Sequence, residues 1–242
     1  LLPPPHIFLV DMEAGFKLFD KSTRMGNAST GLITVTVAKV ITFSTLRVIV
    51  GLIFAFAVSL AVGMAIRYSR LFGKLALPTI HVLAPISPVA WVPVAITIFG
   101  VGNAPAVFLV FIALFFIMTL ATLSLIDGIP ISYIQVARIM GASRRQIFFQ
   151  VILPAILPGL FLVLRLNVFA AWVIVLIAEF TGVGGGGLGL AVQVARNTFN
   201  AKLAFLTMAT VGVVGFALEA LLRQVQYRVL YWVPKGQAAL RR

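Results

Sequence analysis

Apolar residues run along this chain in five long stretches, parted by short polar or basic segments. Residues 48–66 and 106–126 hold no charge, and 75–99 is uncharged but carries Pro78, Pro85, Pro88 and Pro93. Residues 151–178 contain one charge, Arg165, and residues 203–222 contain one, Glu219. At a helical rise of about 1.5 Å per residue, each stretch can cross about 30 Å of hydrocarbon. Helix is the expected state, because a lipid-facing strand needs a closed barrel and the alternation of barrel strands is missing. Each proline removes an intrahelical hydrogen bond. Four in one span predict broken helices, which a membrane tolerates where the backbone faces protein or a water-filled cavity. Ser87 and Trp91 in this stretch are therefore candidates to line a translocation path.

Composition agrees with the pattern. Of 242 residues, 61% are hydrophobic and 10% charged, with a mean hydropathy of +1.11. Soluble domains run nearer about 45–50% apolar and about 25% charged. The fold class is an all-α integral membrane protein, and a disordered chain, a coiled coil and an ordinary cytosolic enzyme are excluded. The net charge of +13 does not mark a nucleic-acid binder, because the basic residues sit at the ends of apolar runs rather than on one face. Cysteine is absent, and His6 and His81 are too few and too far apart for a metal cluster. No basic segment precedes an apolar core, so no signal peptide is visible.

The loops set an orientation. Arg67, Arg70 and Lys74 follow the first stretch, Arg138, Arg144 and Arg145 follow the third, and Arg223, Arg228, Lys235, Arg241 and Arg242 follow the fifth. This alternate set carries eleven basic residues, and the other carries two, Arg196 and Lys202. The richer set is expected in the cytoplasm, with the C-terminus inside and the start of the five-span unit outside. That start predicts a further membrane helix before residue 1, making six. Residues 1–40 read as an outer-surface segment, with an interfacial helix over 17–24 broken by Gly26-Asn27. Residues 41–232 read as the membrane domain, with a cytoplasmic loop at 127–150, and 233–242 as a basic cytoplasmic tail.

That loop carries the most information. Pro130 suits a helix start. Ile131, Ile134 and residues 136–140 give a short helix an apolar side. Gly141 can take the positive φ that ends it. Ser143 and Gln146 have capping-box spacing for the next helix. A helix, a glycine turn and a capped helix outside the membrane make a docking knob for a soluble partner, or else an amphipathic connector on the lipid surface.

The segment resembles the loop of ABC importer permeases, whose consensus is Glu-Ala-Ala, three residues, Gly, nine residues, Ile, one residue, Leu-Pro. Ala137, Gly141, Leu153 and Pro154 fall in register; Gln135 stands for the Glu, Val136 for an Ala and Val151 for the Ile. Leu2-Pro3-Pro4-Pro5, the run from Pro85 to Pro93 through Pro88 and Trp91, Phe99-Gly-Val-Gly102 and Ala178-Glu179 resemble permeases for nitrate, sulfonate, taurine and bicarbonate. The likeness spans roughly residues 1–232. It implies a type I ABC importer permease fold in a bacterial-type inner membrane. It also implies a second permease copy, an extracytoplasmic substrate-binding protein and two cytoplasmic ATPase subunits docked on the loop at Gln135, Val136, Ala137, Gly141, Ala142 and Ser143. ATP and magnesium are expected on those subunits. Gly182, Gly184 and Gly187 have G-x-G-x-x-G spacing but follow a membrane span rather than a strand, so a tight outer turn is expected instead of a nucleotide site. No Walker-type phosphate loop is present, so this chain is expected to bind no ATP and catalyse nothing.

Intramembrane charges are functional candidates. Arg165 can attract an anion, or snorkel or pair structurally. Glu179 is a path candidate whose better account is capping or pairing near the outer face. Trp172 is a path candidate or an interface aromatic. Arg47 reads as an interfacial anchor, His81 as a packing residue, and Glu219 as a partner of Arg223 at i+4. An ATP-independent secondary transporter or channel is the alternative. A membrane enzyme would need a convergent polar site that six acidic residues and two histidines scarcely supply.

Overall fold

A computed structural model describes residues 33–184 and 186–230, side chains of 33–37 excepted. Expectations for residues 17–24 and for the tail 233–242 lie outside the described residues. All regular structure among those described is helical: α1 (Ile33–Tyr68), α2 (Arg70–Leu83), α3 (Val92–Phe99), α4 (Asn103–Asp127), α5 (Ile131–Ile139), α6 (Arg144–Gln146), α7 (Leu153–Phe180), α8 (Leu188–Asn197) and α9 (Ala201–Val229). Among the described residues, four continuous helical spans are long and apolar enough to cross a membrane. A fifth span is the bent pair Arg70–Leu83 and Pro88–Phe99, which turns through 101°.

The first span starts earlier than its uncharged stretch. α1 already begins at Ile33, so the last residues of the presumed outer-surface segment 1–40 are a helical extension of the span. Its faces are sorted inside out relative to a soluble helix. Phe43, Leu46, Val50, Ile53 and Phe54 are exposed, while Ser44, Arg47, Val48, Leu52, Ala55 and Ser59 are buried. In lipid an apolar face has nothing to gain by hiding, so close packing and polar pairing hold helices together. Gly51 is one such contact: a Cβ there would come within 2.7 Å of Val110 Cβ on α4. Gly63 meets Thr122 in the same way, and Gly159 of α7 lies against the side chain of Leu125. α1 and α4 thus run side by side in parallel, with α7 antiparallel across them.

The prolines of 75–99 explain the break between α2 and α3. Pro78 lies inside α2, Pro85 lies in the break, Pro88 opens a 3₁₀ turn (Pro88–Trp91), and Pro93 stands in the first turn of α3. In a first turn the missing N–H is an orphan in any case. Beyond the break, Trp91 and Val92 pack on Ala95, Ala106, Leu109 and Ala178.

Between α6 and α7 the helix widens to a π turn over Ile147–Ile152. Pro154 follows in the first turn of α7 and offers no N–H to the Gln150 carbonyl, a known cause of such widening. α6, the π turn and α7 still make one continuous span, Arg144–Phe180. The main core gathers Leu52, Val110, Leu114, Val168, Trp172, Val175, Leu188 and Leu218 from five helices. Only 11% of the apolar window of α9 is buried. This helix therefore leans on the bundle by one edge and leaves most of its surface open.

Gly51→Leu should lower the stability of the purified protein by about 1–3 kcal/mol, the usual cost of overpacking. Gly212→Ala, where a Cβ meets nothing within 4 Å, should leave the unfolding midpoint in detergent unchanged.

Candidate functional site

Three arrangements of polar and exposed groups stand out on this scaffold. At one end of the bundle, Arg47 of α1 is 7% exposed and spends every guanidinium N–H on the protein. Nη1 donates to Glu179 Oε1 and to the Gly186 carbonyl, both at 2.7 Å. Nη2 donates to the Gly184 carbonyl at 2.6 Å and to Asn103 Oδ1 at 2.5 Å, and Nε reaches the same Oδ1 at 2.8 Å. Glu179, at the end of α7, has 0% exposure. Ser44 Oγ donates to its Oε1 at 2.6 Å and Gly189 N to its Oε2 at 2.9 Å. The carboxylate therefore pairs with Arg47 and also receives the Gly189 N–H in the first turn of α8, where the helix dipole favours negative charge, while the Leu188 N–H goes to Ser44 Oγ.

The glycine-rich turn is built for this. Gly187 has φ +152°, and a Cβ there would run into the Glu179 carboxylate. Carbonyls of the turn face a cation, the reverse of a phosphate cradle, whose N–H groups face an anion. Gly102 N donates to the Val183 carbonyl at 2.8 Å, adding the start of α4 to the assembly.

The second arrangement lies partway along α7. Arg165 donates to Glu219 of α9 through Nη2 at 2.8 Å and Nε at 3.3 Å, and Arg223 Nη2 reaches the same oxygen at 3.3 Å. The side chains of Arg165 and Glu219 are 37% and 40% exposed. They stand at the mouth of a groove of about 620 Å³ between α7 and α9, whose wall also includes Leu166, Phe169, Trp172, Gly212 and Phe216. Trp172 is 3% exposed, and its indole Nε1 has no hydrogen-bond partner among the described residues. A buried donor left unpaired costs about 1–3 kcal/mol.

The third is at the other end of the bundle. The ends of α1 and α4 meet there through Arg67 and Asp127, 3.0 Å apart. α5 follows α4 after a short connection and packs on the π turn. Its Ile139 is 86% exposed and Met140 beside it 81%. Gly141 takes φ +79°, and Ala142 N closes the helix end on the Ala137 carbonyl at 3.0 Å. Ser143 and Gln146 form the reciprocal capping box that opens α6. The result is an apolar knob joined by a glycine turn to a capped stem.

Residues 55–231, from within α1 to just beyond α9, match the family described as "Binding-protein-dependent transport system inner membrane component". The chain belongs to that family. It is 32% identical over 186 residues to a protein named as an ABC transporter permease in Methanocaldococcus jannaschii, covering 77% of this chain and 70% of that one. It is 32% identical over 184 residues to the nitrate import permease NrtB of Leptolyngbya laminosa, covering 76% and 66%. Against the taurine transport system permease TauC of Escherichia coli it is 28% identical, covering 77% and 67%. A solved structure of the MetNI methionine ABC transporter in an inward-facing conformation shares the fold. Its TM-score is 0.67 at 21% identity, over 82% of this chain and 96% of that one. The chain is thus a multi-pass ABC importer permease, and ATP-driven import is the activity of its family. An ATP-independent carrier or channel is set aside by that membership.

In this ABC importer permease the loop residues come together as spaced. Gln135 and Val136 are exposed on α5, Ala137 and Ala142 are half-buried at its end, and Leu153 and Pro154 are half-buried where α7 begins. The path candidates do not converge. Ser87 is exposed in the break and Trp91 half-buried beside it, Arg165 and Trp172 share the groove, and Glu179 is sealed behind Arg47. Arg47 itself corrects the sequence reading. It is no interfacial anchor but a buried hub, because Glu179, Asn103 and two carbonyls replace the water it would otherwise seek. Nothing in the sequence links residues 132 positions apart; the only local hint is that each is a lone charge beside an apolar run.

Glu179→Ala should cost about 3–5 kcal/mol by leaving a buried guanidinium without its counter-charge. Arg47→Met combined with Glu179→Leu should cost clearly less than the two single changes added together. A double-mutant cycle of unfolding in mixed micelles reads this directly.

Proposed function

We propose that this chain is one of two permease copies in an ATP-driven importer for a small anion, of the kind exemplified by nitrate, sulfonates, taurine and bicarbonate. Two cytoplasmic ATPase subunits dock on α5 and hold the ATP and magnesium; the permease itself hydrolyses nothing. An extracytoplasmic binding protein delivers the substrate to the opposite end. The C-terminus is cytoplasmic, in keeping with the eleven basic residues gathered on one set of loops. The names of the nitrate and taurine relatives support the anion class.

One observation carries the reading: a helix with exposed Val136, Ile139 and Met140, hinged on a glycine and set outside the spans. A soluble partner with a groove would engage these residues, since a helix-in-groove contact is read through apolar anchors at this spacing. Force applied to α5 reaches α4 through residues 128–130 and α7 through the capped stem. The span Arg144–Phe180 is continuous from the capped stem to the groove at Arg165 and Trp172, so rigid-body movement of packed helices can alternate access.

The test is a pair of substitutions in the reconstituted importer. Asparagine tolerates the left-handed region and β-branched valine does not. Gly141→Asn should retain most ATP-driven uptake and ATPase association. Gly141→Val should reduce both about tenfold or more, because a strain of about 1.4 kcal/mol already shifts an equilibrium tenfold. Equal uptake by the two variants would contradict the docking role.

A further inference from the structure

We infer that the elbow between α1 and α2 seats an anionic phospholipid of the cytoplasmic leaflet, with the lipid phosphate on Arg70 and Lys74 and an acyl chain along α2. The inference goes beyond the transport reading and takes from it only the orientation, with the loops richest in basic residues inside.

Charge comes first. The elbow carries Arg67, Arg70 and Lys74 against one acid, Asp127, which Arg67 takes up at 3.0 Å. The other acids among the described residues are engaged elsewhere, Glu179 by Arg47 and Glu219 by Arg165 and Arg223. Arg70 and Lys74 are exposed and have no carboxylate among the described residues to neutralise them. They stand at i and i+4 on α2, where Cβ atoms lie about 5–6 Å apart, so both side chains can reach one phosphate. Two uncompensated positive charges attract an anionic headgroup and repel the ammonium of a zwitterionic one. The cytoplasmic leaflet, with its negative surface, is where such a headgroup is found.

The elbow is also a fixed seat. A single residue, Ser69, separates the two helices, and its hydroxyl accepts from the Phe72 N–H to cap α2. Gly73 lies so close to α1 that a Cβ there would come within 2.8 Å of the Ile66 carbonyl oxygen.

The apolar side of α2 favours a lipid over a free phosphate. Leu71, Leu75, Pro78 and Val82 recur at helical spacing beside the basic pair and form one stripe. Leu71 is 73% exposed, Leu75 68% and Val82 71%, whereas Gly73 and Ile80, on the bundle side, are buried. From Leu71 to Val82 the helix rises about 16 Å. Half of a hydrocarbon core of about 30 Å is about 15 Å, so the stripe runs from the basic pair through the depth of one leaflet. A soluble phosphate uses the pair and leaves the stripe idle. A diacyl lipid uses both.

Native mass spectrometry of the permease–ATPase complex, released from maltoside micelles holding equal amounts of dioleoylphosphatidylglycerol and dioleoylphosphatidylcholine, tests this. Phosphatidylglycerol adducts should exceed phosphatidylcholine adducts about tenfold, since two basic residues near an anionic surface supply an attraction of that order. Arg70→Gln combined with Lys74→Gln should bring the two lipids to parity. Arg228→Gln, at the same end of the bundle on α9, should leave the preference in place, and a large excess of glycerol 1-phosphate should displace neither lipid. Equal retention of the two lipids by the wild-type complex would overturn the inference, whether or not any variant folds. Loss of the preference in Arg228→Gln would overturn it in favour of a general attraction, and displacement by glycerol 1-phosphate would overturn the role of the stripe. Leu71→Cys cross-linking directly to the same position in a second copy would make the elbow a contact between copies and overturn the lipid seat. ATP-driven uptake by a complex that holds both lipids alike separates failure of this site from failure of the importer reading.

Discussion

A guanidinium removed from water must place its five N–H groups on acceptors or cost the fold several kcal/mol, and Arg47 places them on three separate pieces of the chain. Its partners are the end of α7, the glycine turn and the first residue of α4, with Ser44 and the start of α8 completing the shell around Glu179. In lipid the apolar effect gives no preference for one helix arrangement over another. A polar hub does, because sliding α1 by one turn against α4 or α7 would strand a buried charge. The close contacts at Gly51 and Gly63 repeat the same register further along α1. Hub and glycine contacts together make one end of the bundle a fixed frame.

The other end is held less firmly. The Arg67–Asp127 pair there is exposed on both sides and holds little energy. α5 rests on a π turn, a helical irregularity often found where a helix must yield. α9 touches the bundle along one edge. A bundle locked at one end and loosely joined at the other suits the proposed lever, in which displacement of the knob would pass along α7. The Arg165–Glu219–Arg223 cluster sits between the two regimes.

Much of the fold was legible because lipid imposes strong rules on sequence. Uncharged runs mark spans, proline clusters mark breaks, and Gly141 followed by Ser143 and Gln146 marks a turn and a cap whose geometry the structure reproduces. Local chemistry of this kind is written within a few residues. The site was less legible. Pairing of Arg47 with Glu179 depends on how three helices pack, and neither residue's neighbours announce it. The start of α1 at Ile33 and the presence of α8 also escaped, since a polar helical extension and a short helix after a glycine run look like loop in composition. Of the groove, Arg165 and Trp172 stood out in the sequence as single residues, but not that they share a wall with Gly212 and Gly215 across two helices.

The proposed role of the exposed apolar helix between α4 and α7 is mechanical contact with a nucleotide-hydrolysing partner. The chain contains no cysteine, so a single one can report on a single surface. Ile139→Cys in the assembled importer, treated with a short bifunctional thiol reagent, should form an adduct with the ATPase subunit whose yield changes when ATP binds. Phe199→Cys, on the turn before α9 at the hub end, should form none. An ATP-hydrolysing complex that cross-links through position 199 and not through position 139 would contradict the account.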